Sequence, residues 1–257
     1  MNYLDLFHGI GGFALGAYWA GMKFDHHFCS DIEPYTQKLY QLRFPDSIQL
    51  GDITKIDTKE LKQYGNDWII TGGFPCQDIS IAGKGAGITG SRSGLWFEYW
   101  RIIRDLQPRF AIMENVSALT FRGLDQVLGS LAEIGYNAEW QDIRADDMGL
   151  PHRRERIWIV TYPSSCRWNE NYNAEITKFN QILPKQAPRQ TPLPLSDEWY
   201  ELSRVYKFLR TDNVLSEELD RCKGIGNAIV PQIAEILFNY ITSQNIKALS
   251  NNLWSVI

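Results

Sequence analysis

Tyr3-Leu4-Asp5-Leu6-Phe7-His8-Gly9-Ile10-Gly11-Gly12-Phe13 passes within eleven residues from an apolar, strand-like stretch through three glycines into a segment that opens a helix. Glycines at such a junction let the backbone turn sharply and approach a ligand closely, beside the N–H groups at the start of the helix. The spacing is Gly-x-Gly-Gly, not the Gly-x-Gly-x-x-Gly of dinucleotide-binding folds. By itself it fits a tight strand-to-helix connection as well as a ligand cradle. Asp31 follows the next strand, where an acid in this topology accepts hydrogen bonds from ribose hydroxyls, so the pair points to an adenosine-containing ligand.

Outward from this stretch, short apolar or β-branched runs alternate with amphipathic ones, as β-α units around a parallel sheet require. The strands expected are Tyr3–Phe7, Phe24–Cys29, Trp68–Thr71, Phe110–Met113 and Ile157–Tyr162. Leu95, Tyr99, Ile102, Ile103 and Leu106 share one helical face, as do Leu124, Val127, Leu128, Leu131 and Ile134, and both helices should pack on the sheet. Runs such as Phe110–Met113 suit strands buried on both faces. The expected fold is α/β, a Rossmann-like doubly wound, mostly parallel sheet. Tyr162–Asp220 carries five prolines and little periodicity, and reads as an irregular insertion before a helix resumes at Ile229, Ile233, Ile236, Leu237 and Tyr240. The divisions are therefore 1–161, 162–220 and 221–257.

At 257 residues with 44% hydrophobic content the chain can bury a substantial core, and 22% charged residues exclude a disordered chain. No apolar run approaches the roughly 18 residues of a membrane span, and Met1–Asp5 lacks the basic flank of a signal peptide. A cytoplasmic protein without membrane partners is expected. Cys29, Cys76, Cys166 and Cys222 form no Cys-x-x-Cys pair, which points away from a disulfide scaffold and from structural zinc. Adjacent His26 and His27 beside Cys29 are a poor chelate, so no metal is expected. A net charge of −4 leaves nucleic-acid contact to a local basic patch.

Gly72-Gly73-Phe74-Pro75-Cys76-Gln77-Asp78-Ile79-Ser80 places Cys76 in a loop beyond a strand, on the sheet edge where ligands bind in open α/β folds. A lone cysteine is often a small buried hydrophobe, but the Pro-Cys-Gln setting among glycines argues for exposure. Ile79–Phe97 then holds five glycines with Lys84 and Arg92, a linker or a lid over a polyanion. Glu114-Asn115-Val116 puts a carboxylate on the same edge. In Pro151-His152-Arg153-Arg154-Glu155-Arg156, strand alternation aims Arg154 and Arg156 to one side, fit for a solvated face or for a planar polar base or anion.

In order along the chain, these segments resemble the cytosine-5 DNA methyltransferase family: Asp5–Phe13 its first cofactor motif, Gly72–Ser80 its Pro-Cys motif, Glu114–Val116 its Glu-Asn-Val motif, His152–Arg156 its Gln-x-Arg-x-Arg motif, and Gly226–Pro231 its last. The resemblance runs from Asp5 to about Ile236. His152 stands where the family has glutamine, which leaves the role of that side chain open. The resemblance implies a class I methyltransferase fold, a cytoplasmic enzyme of prokaryotic or phage-encoded type, S-adenosylmethionine as methyl donor with S-adenosylhomocysteine as product, and double-stranded DNA as substrate. A monomer is expected, with a cognate restriction endonuclease as a candidate partner. By motif position, Cys76 is the nucleophile, Glu114 the acid at cytosine nitrogen 3, and Arg154 and Arg156 contact the flipped base. Phe7, Gly9, Gly11, Gly12, Asp31, Ile32, Asp52, Ile53, Leu95 and Asn227 hold the cofactor. Ser80, Lys84, Arg92, Arg167, Lys185 and Arg189 are the expected DNA contacts. Residues 1–161 become the catalytic and cofactor-binding part, 162–220 a short target-recognition segment, and 221–257 a return to the catalytic part.

The family's transfer-RNA-modifying branch carries Cys-Phe-Thr, and no cysteine here precedes a phenylalanine, so DNA is favoured. A Cys-His hydrolase built on Cys76 and His152 would leave the glycine turn and Glu-Asn-Val unexplained. A non-catalytic DNA-binding relative would not need the chemistry-bearing residues, all of which are present. The recognition segment, at most 59 residues, has room for two or three bidentate base contacts, enough for a site of roughly two to four base pairs.

Overall fold

A computed structural model describes residues 1–75, 94–148, 150, 154–165 and 228–253, the last eleven of these as backbone only. In chain order its elements are β1 (Asn2–Leu6), α1 (Gly12–Trp19), β2 (His26–Ser30), α2 (Pro34–Arg43), β3 (Ile48–Gln49), α3 (Thr58–Lys62), β4 (Trp68–Gly72), α4 (Leu95–Leu106), β5 (Phe110–Val116), α5 (Leu119–Arg122), α6 (Leu124–Glu133), β6 (Tyr136–Arg144), β7 (Glu155–Pro163) and α7 (Pro231–Leu253). The described strands form one sheet in the order β3-β2-β1-β4-β5-β7-β6. Strands β3 to β5 are mutually parallel, whereas β7 runs antiparallel to both β5 and β6.

Alternation along the strands separates two cores. Leu4, Leu6, Trp68, Ile70 and Met113 face α4 and α6, which bury Trp96, Tyr99, Ile102, Ile103, Leu106, Val127 and Leu131. Tyr3, Cys29, Ile69, Ile112 and Trp158 face the other way, toward Phe13, Ala14 and Ala17 of α1 and Ile233, Ala234, Leu237 and Phe238 of α7. A Cβ on Gly12 would lie 2.5 Å from the Ile229 carbonyl oxygen, and one on Gly16 2.5 Å from Ala234 Cβ, so both glycines are required by the close approach of the segment around α7.

The five expected strands are present with ends shifted by a few residues; β7 begins at Glu155 and β5 extends through Val116. Two strands escaped the sequence reading. β3 is only two residues long, and β6 is an edge strand whose Tyr-Asn-Ala-Glu-Trp-Gln-Asp-Ile-Arg sequence is largely polar and half-exposed. In α4, Trp96 is fully buried while Leu95 is partly so, and Leu128 of α6 and Ile134 just beyond it sit at the margin of the core.

Candidate active site

The parallel strands end along one edge of the sheet, and β7, being antiparallel, begins there. Register sets Arg156 opposite Val116, on the same face as Glu114 two residues back along β5. Arg156 Nε lies 3.1 Å and Arg154 Nη2 3.9 Å from Glu114 Oε1. The carboxyl is almost wholly buried, and this desolvation outweighs the two guanidiniums, leaving Glu114 above its usual pKa. A carboxyl so placed keeps its proton to higher pH than a free glutamate and can offer it to a bound group. Burial and the neighbouring Arg156 push Arg154 below its ordinary value. Gly73 makes room for the carboxyl, since a Cβ there would come within 3.1 Å of Glu114 Oε2.

Asn115, missed as a functional residue by the sequence reading, points to the opposite face of β5. Its Nδ2 donates to the Phe74 carbonyl at 3.1 Å and its Oδ1 accepts from Val116 N–H at 2.9 Å. Phe74 itself packs on Trp96 with ring centroids 5.1 Å apart. Adjacent residues of one strand thus hold a buried carboxyl and anchor the chain two residues before Cys76. The Glu-Asn pair in sequence was the available signal. Cys76, Ser80, Lys84, Arg92, His152, Arg167, Lys185, Arg189 and Asn227 lie outside the described residues, as does almost all of 162–220.

At the other half of the edge, the glycine turn follows β1. Phe7, Gly9 and Gly11 have φ of 51°, 53° and 86°, a left-handed run that only glycine takes without strain at two of the three positions. Gly11 is also closed in, with the Phe44 ring 2.7 Å from where a Cβ would stand, whereas Gly9 faces open space. Asp31 fastens the turn to the end of β2: Oδ2 accepts from Gly9 N–H and Oδ1 from Glu33 N–H, both at 2.9 Å. Ile32, 68% exposed, and half-buried Phe7 leave apolar surface on either side. Asp52 caps a 3-10 turn through Thr54, whose hydrogen bonds hold its carboxyl below the usual range. Ile53 is buried in the core and offers its carbonyl to Arg101 at 3.2 Å, and Leu95 opens α4. The turn, Asp31 and Ile32 are brought together at neighbouring strand ends; Asp52, Ile53 and Leu95 flank them on adjoining elements. An acid that accepts hydrogen bonds, apolar cover and a glycine turn fit an adenosine cofactor with a ribose and an amino-acid tail. Among the described residues no three potential metal ligands cluster.

Residues 1–202 match the family model described as C-5 cytosine-specific DNA methylase. The chain belongs to this C-5 cytosine DNA methylase family. It is 34% identical over 240 residues to the type II methyltransferase M.HpaII of Haemophilus parainfluenzae, covering 89% of this chain and 66% of that one. With M1.ScrFI of Lactococcus lactis it shares 40% identity over 163 residues, 62% of this chain and 41% of the relative. Among solved structures, DNMT2 of Spodoptera frugiperda superposes with a TM-score of 0.55 at 21% identity, covering 65% of this chain and 51% of that chain. The C-5 methylase chain described here spans about half the length of most of the curated relatives it matches. Its mixed α/β sheet is that of the class I methyltransferases.

Proposed function

We propose that the protein transfers a methyl group from S-adenosylmethionine to carbon 5 of cytosine in double-stranded DNA, at a short sequence, through a covalent adduct of Cys76 on a flipped-out base. The observation that carries this reading is the Glu114–Arg156–Arg154 cluster, placed one residue from the Asn115 tether to the Pro75-Cys76 segment.

Carbon 5 of cytosine is a poor nucleophile. Attack of the Cys76 thiolate on carbon 6 forms a C–S bond and sends the ring electrons toward nitrogen 3, where protonated Glu114 supplies a proton or a strong hydrogen bond. Arg156 and Arg154 orient that carboxyl and meet the polar edge of the base. A free thiol with a pKa near 8.5 is only a few per cent ionised at neutral pH, so positive charge near Cys76 favours the reaction. The cofactor, when bound, supplies the methyl group to the activated carbon 5. A base, with water as the candidate, then takes the carbon 5 proton as the C–S bond breaks and Cys76 leaves. Phe7 and Ile32 would cover the adenine, Asp31 would accept from the ribose, and the glycine turn would admit the amino-acid end, toward which the family motif assigns Asn227. The target base must leave the duplex, at a cost of a few kcal/mol. The basic, glycine-rich segment after Cys76 would close over it. Arg167–Gln190 supplies the base-edge contacts.

Expression in a methylation-free host with bisulfite mapping gives the site. Duplex DNA carrying 5-fluorocytosine at that site should then trap a covalent complex, because fluorine cannot leave as the proton does, and Cys76→Ser should abolish it. An undiminished adduct in Cys76→Ser would falsify the assignment.

A further inference from the structure

Asp5 is fully buried on β1, on the face toward α1 and α2, and no lysine, arginine or chain terminus pairs with it among the described residues. Hydroxyl groups converge on it instead. Thr71 Oγ1 donates to Asp5 Oδ1 at 2.8 Å and Tyr40 OH to Asp5 Oδ2 at 3.0 Å. A tyrosine has one proton to give, so where Tyr40 gives it to Asp5, the 2.7 Å contact between Tyr40 OH and His27 Nε2 must be donated by the imidazole. His27 Nδ1 then accepts from Tyr18 OH at 3.1 Å, and by the same logic Tyr3 OH donates to Thr71 at 2.7 Å. Two chains of donors, Tyr18–His27–Tyr40 and Tyr3–Thr71, end on one carboxylate. The first begins at the surface, where Tyr18 and His27 line an open pocket of about 300 Å³.

The centre is also tied to the glycine turn: the backbone N–H of Ala14 in the first turn of α1 lies close enough to Asp5 to favour its charged form. Tyr40 makes a second tie, its ring 4.1 Å from that of His8 and 3.1 Å from where a Cβ on Gly11 would stand. Protonation turns the Tyr18 chain round, with Asp5 donating to Tyr40, Tyr40 to His27 Nε2 and His27 Nδ1 to Tyr18, so that the carboxyl no longer holds Tyr40 and the start of α1 by its charge.

We propose that Asp5 is a positioning residue for the cofactor turn, its ionised carboxylate holding α1 and Tyr40 where the turn takes S-adenosylmethionine. This rests on the methyltransferase reading above. Protonation travels along the Tyr18 chain with every proton accounted for. A solvent proton joins Tyr18, the Tyr18 proton passes to His27 Nδ1, the Nε2 proton to Tyr40, and the Tyr40 proton to Asp5. The imidazole changes tautomer and stays uncharged, in keeping with a burial that lowers its pKa to about 4. Burial lifts Asp5 to about 7, against the pull of Thr71, Tyr40 and the Ala14 N–H. The other titratable groups near it are Tyr3 on its own strand, Cys29 and Asp31 on and beyond β2, and, across the sheet, Tyr99 on α4.

The test is calorimetric binding of S-adenosylhomocysteine from about pH 5.5 to 8.5. Wild-type affinity should rise with pH through the ionisation of Asp5. Asp5→Asn should lose that rise and bind about tenfold more weakly at the alkaline end, having lost charged hydrogen-bond acceptance. Tyr40→Phe keeps the ring, removes one donor from the carboxylate, and should move the midpoint of the rise upward by about one pH unit. The same pH profile in wild type and Asp5→Asn, or an unmoved midpoint in Tyr40→Phe, overturns the role of Asp5 alone. Absence of binding by the wild type at every pH overturns the methyltransferase reading and this role with it. Should Asp5→Asn not fold, Tyr40→Phe decides.

Discussion

Two carboxyls are buried on the same face of one sheet and are compensated in opposite ways. Glu114, on the β5–β7 half, sits against two guanidiniums; Asp5, on the β1–β4 half, takes hydroxyl donors and has no cationic partner among the described residues. Desolvation raises both above their ordinary values, so cationic neighbours do not abolish the effect of burial in one case and hydrogen bonds do not in the other. The difference lies in what each can exchange. Glu114 faces arginines that, in the proposed reaction, also hold the planar base, so its proton would be available to a ligand. Asp5 is reached through side chains of the fold itself, so its proton belongs to the structure.

The largest expected effect tests the Glu114 half. Glu114→Gln should slow methyl transfer by about 10²–10⁴-fold while S-adenosylhomocysteine binds as before in calorimetry. If affinity falls and turnover does not, the two halves have been assigned the wrong way round. Next, Arg156→Met leaves Glu114 short of its closer partner, and at about pH 8 should lower unfolding stability by about 3 kcal/mol in urea titration. The sign is fixed by Glu114: without Arg156 its folded pKa rises further, so the loss is full where Glu114 ionises in both proteins and shrinks as pH falls through its raised folded pKa, below which folded wild type and variant both hold the proton.

A third experiment addresses Asp5. Its folded value of about 7 lies above the ordinary 3.8, so the native state holds the proton more tightly than the unfolded chain. Stability should therefore decline as pH rises through that window and level off above it. Relative to Asp5→Asn, the wild-type thermal midpoint should drop by ~5 °C across the interval. A constant gap would show that Asp5 does not titrate there. The smallest effect is expected of Asp31→Ala, which takes acceptors from Gly9 and Glu33 and should weaken cofactor binding roughly tenfold while 5-fluorocytosine trapping persists at saturating cofactor.

The parallel part of the sheet was legible because its strands are buried on both faces and read as apolar runs between glycines. β6 was not, since an edge strand with one half-exposed face has no such run, and its Trp140 is 43% exposed. Arg154 and Arg156 were read correctly as sharing a side, but that their side was that of Glu114 follows from the antiparallel entry of β7, which no local pattern announces. Asn115 and Asp5 were both quoted within motifs and given no task. Their work is done through partners 41 and 66 residues away, at Phe74 and Thr71, and a linear reading has no means of pairing them.

The glycines of α1 that admit Ile229 and Ala234 carry a consequence for the order of events at the ribosome. The apolar face of α1 is made within the first twenty residues, yet the helix that covers it is separated by roughly 200 residues of chain, which at about 5–20 residues per second is on the order of ten to forty seconds of synthesis. For that interval Phe13, Ala14 and Ala17 have no α7 to meet, and the nascent chain presents an apolar stripe of the kind that chaperones hold. Maturation of the cofactor half is thereby tied to a segment made long after it, so that a ribosome stalled before Ile229 carries a polypeptide whose glycine turn lacks its backing.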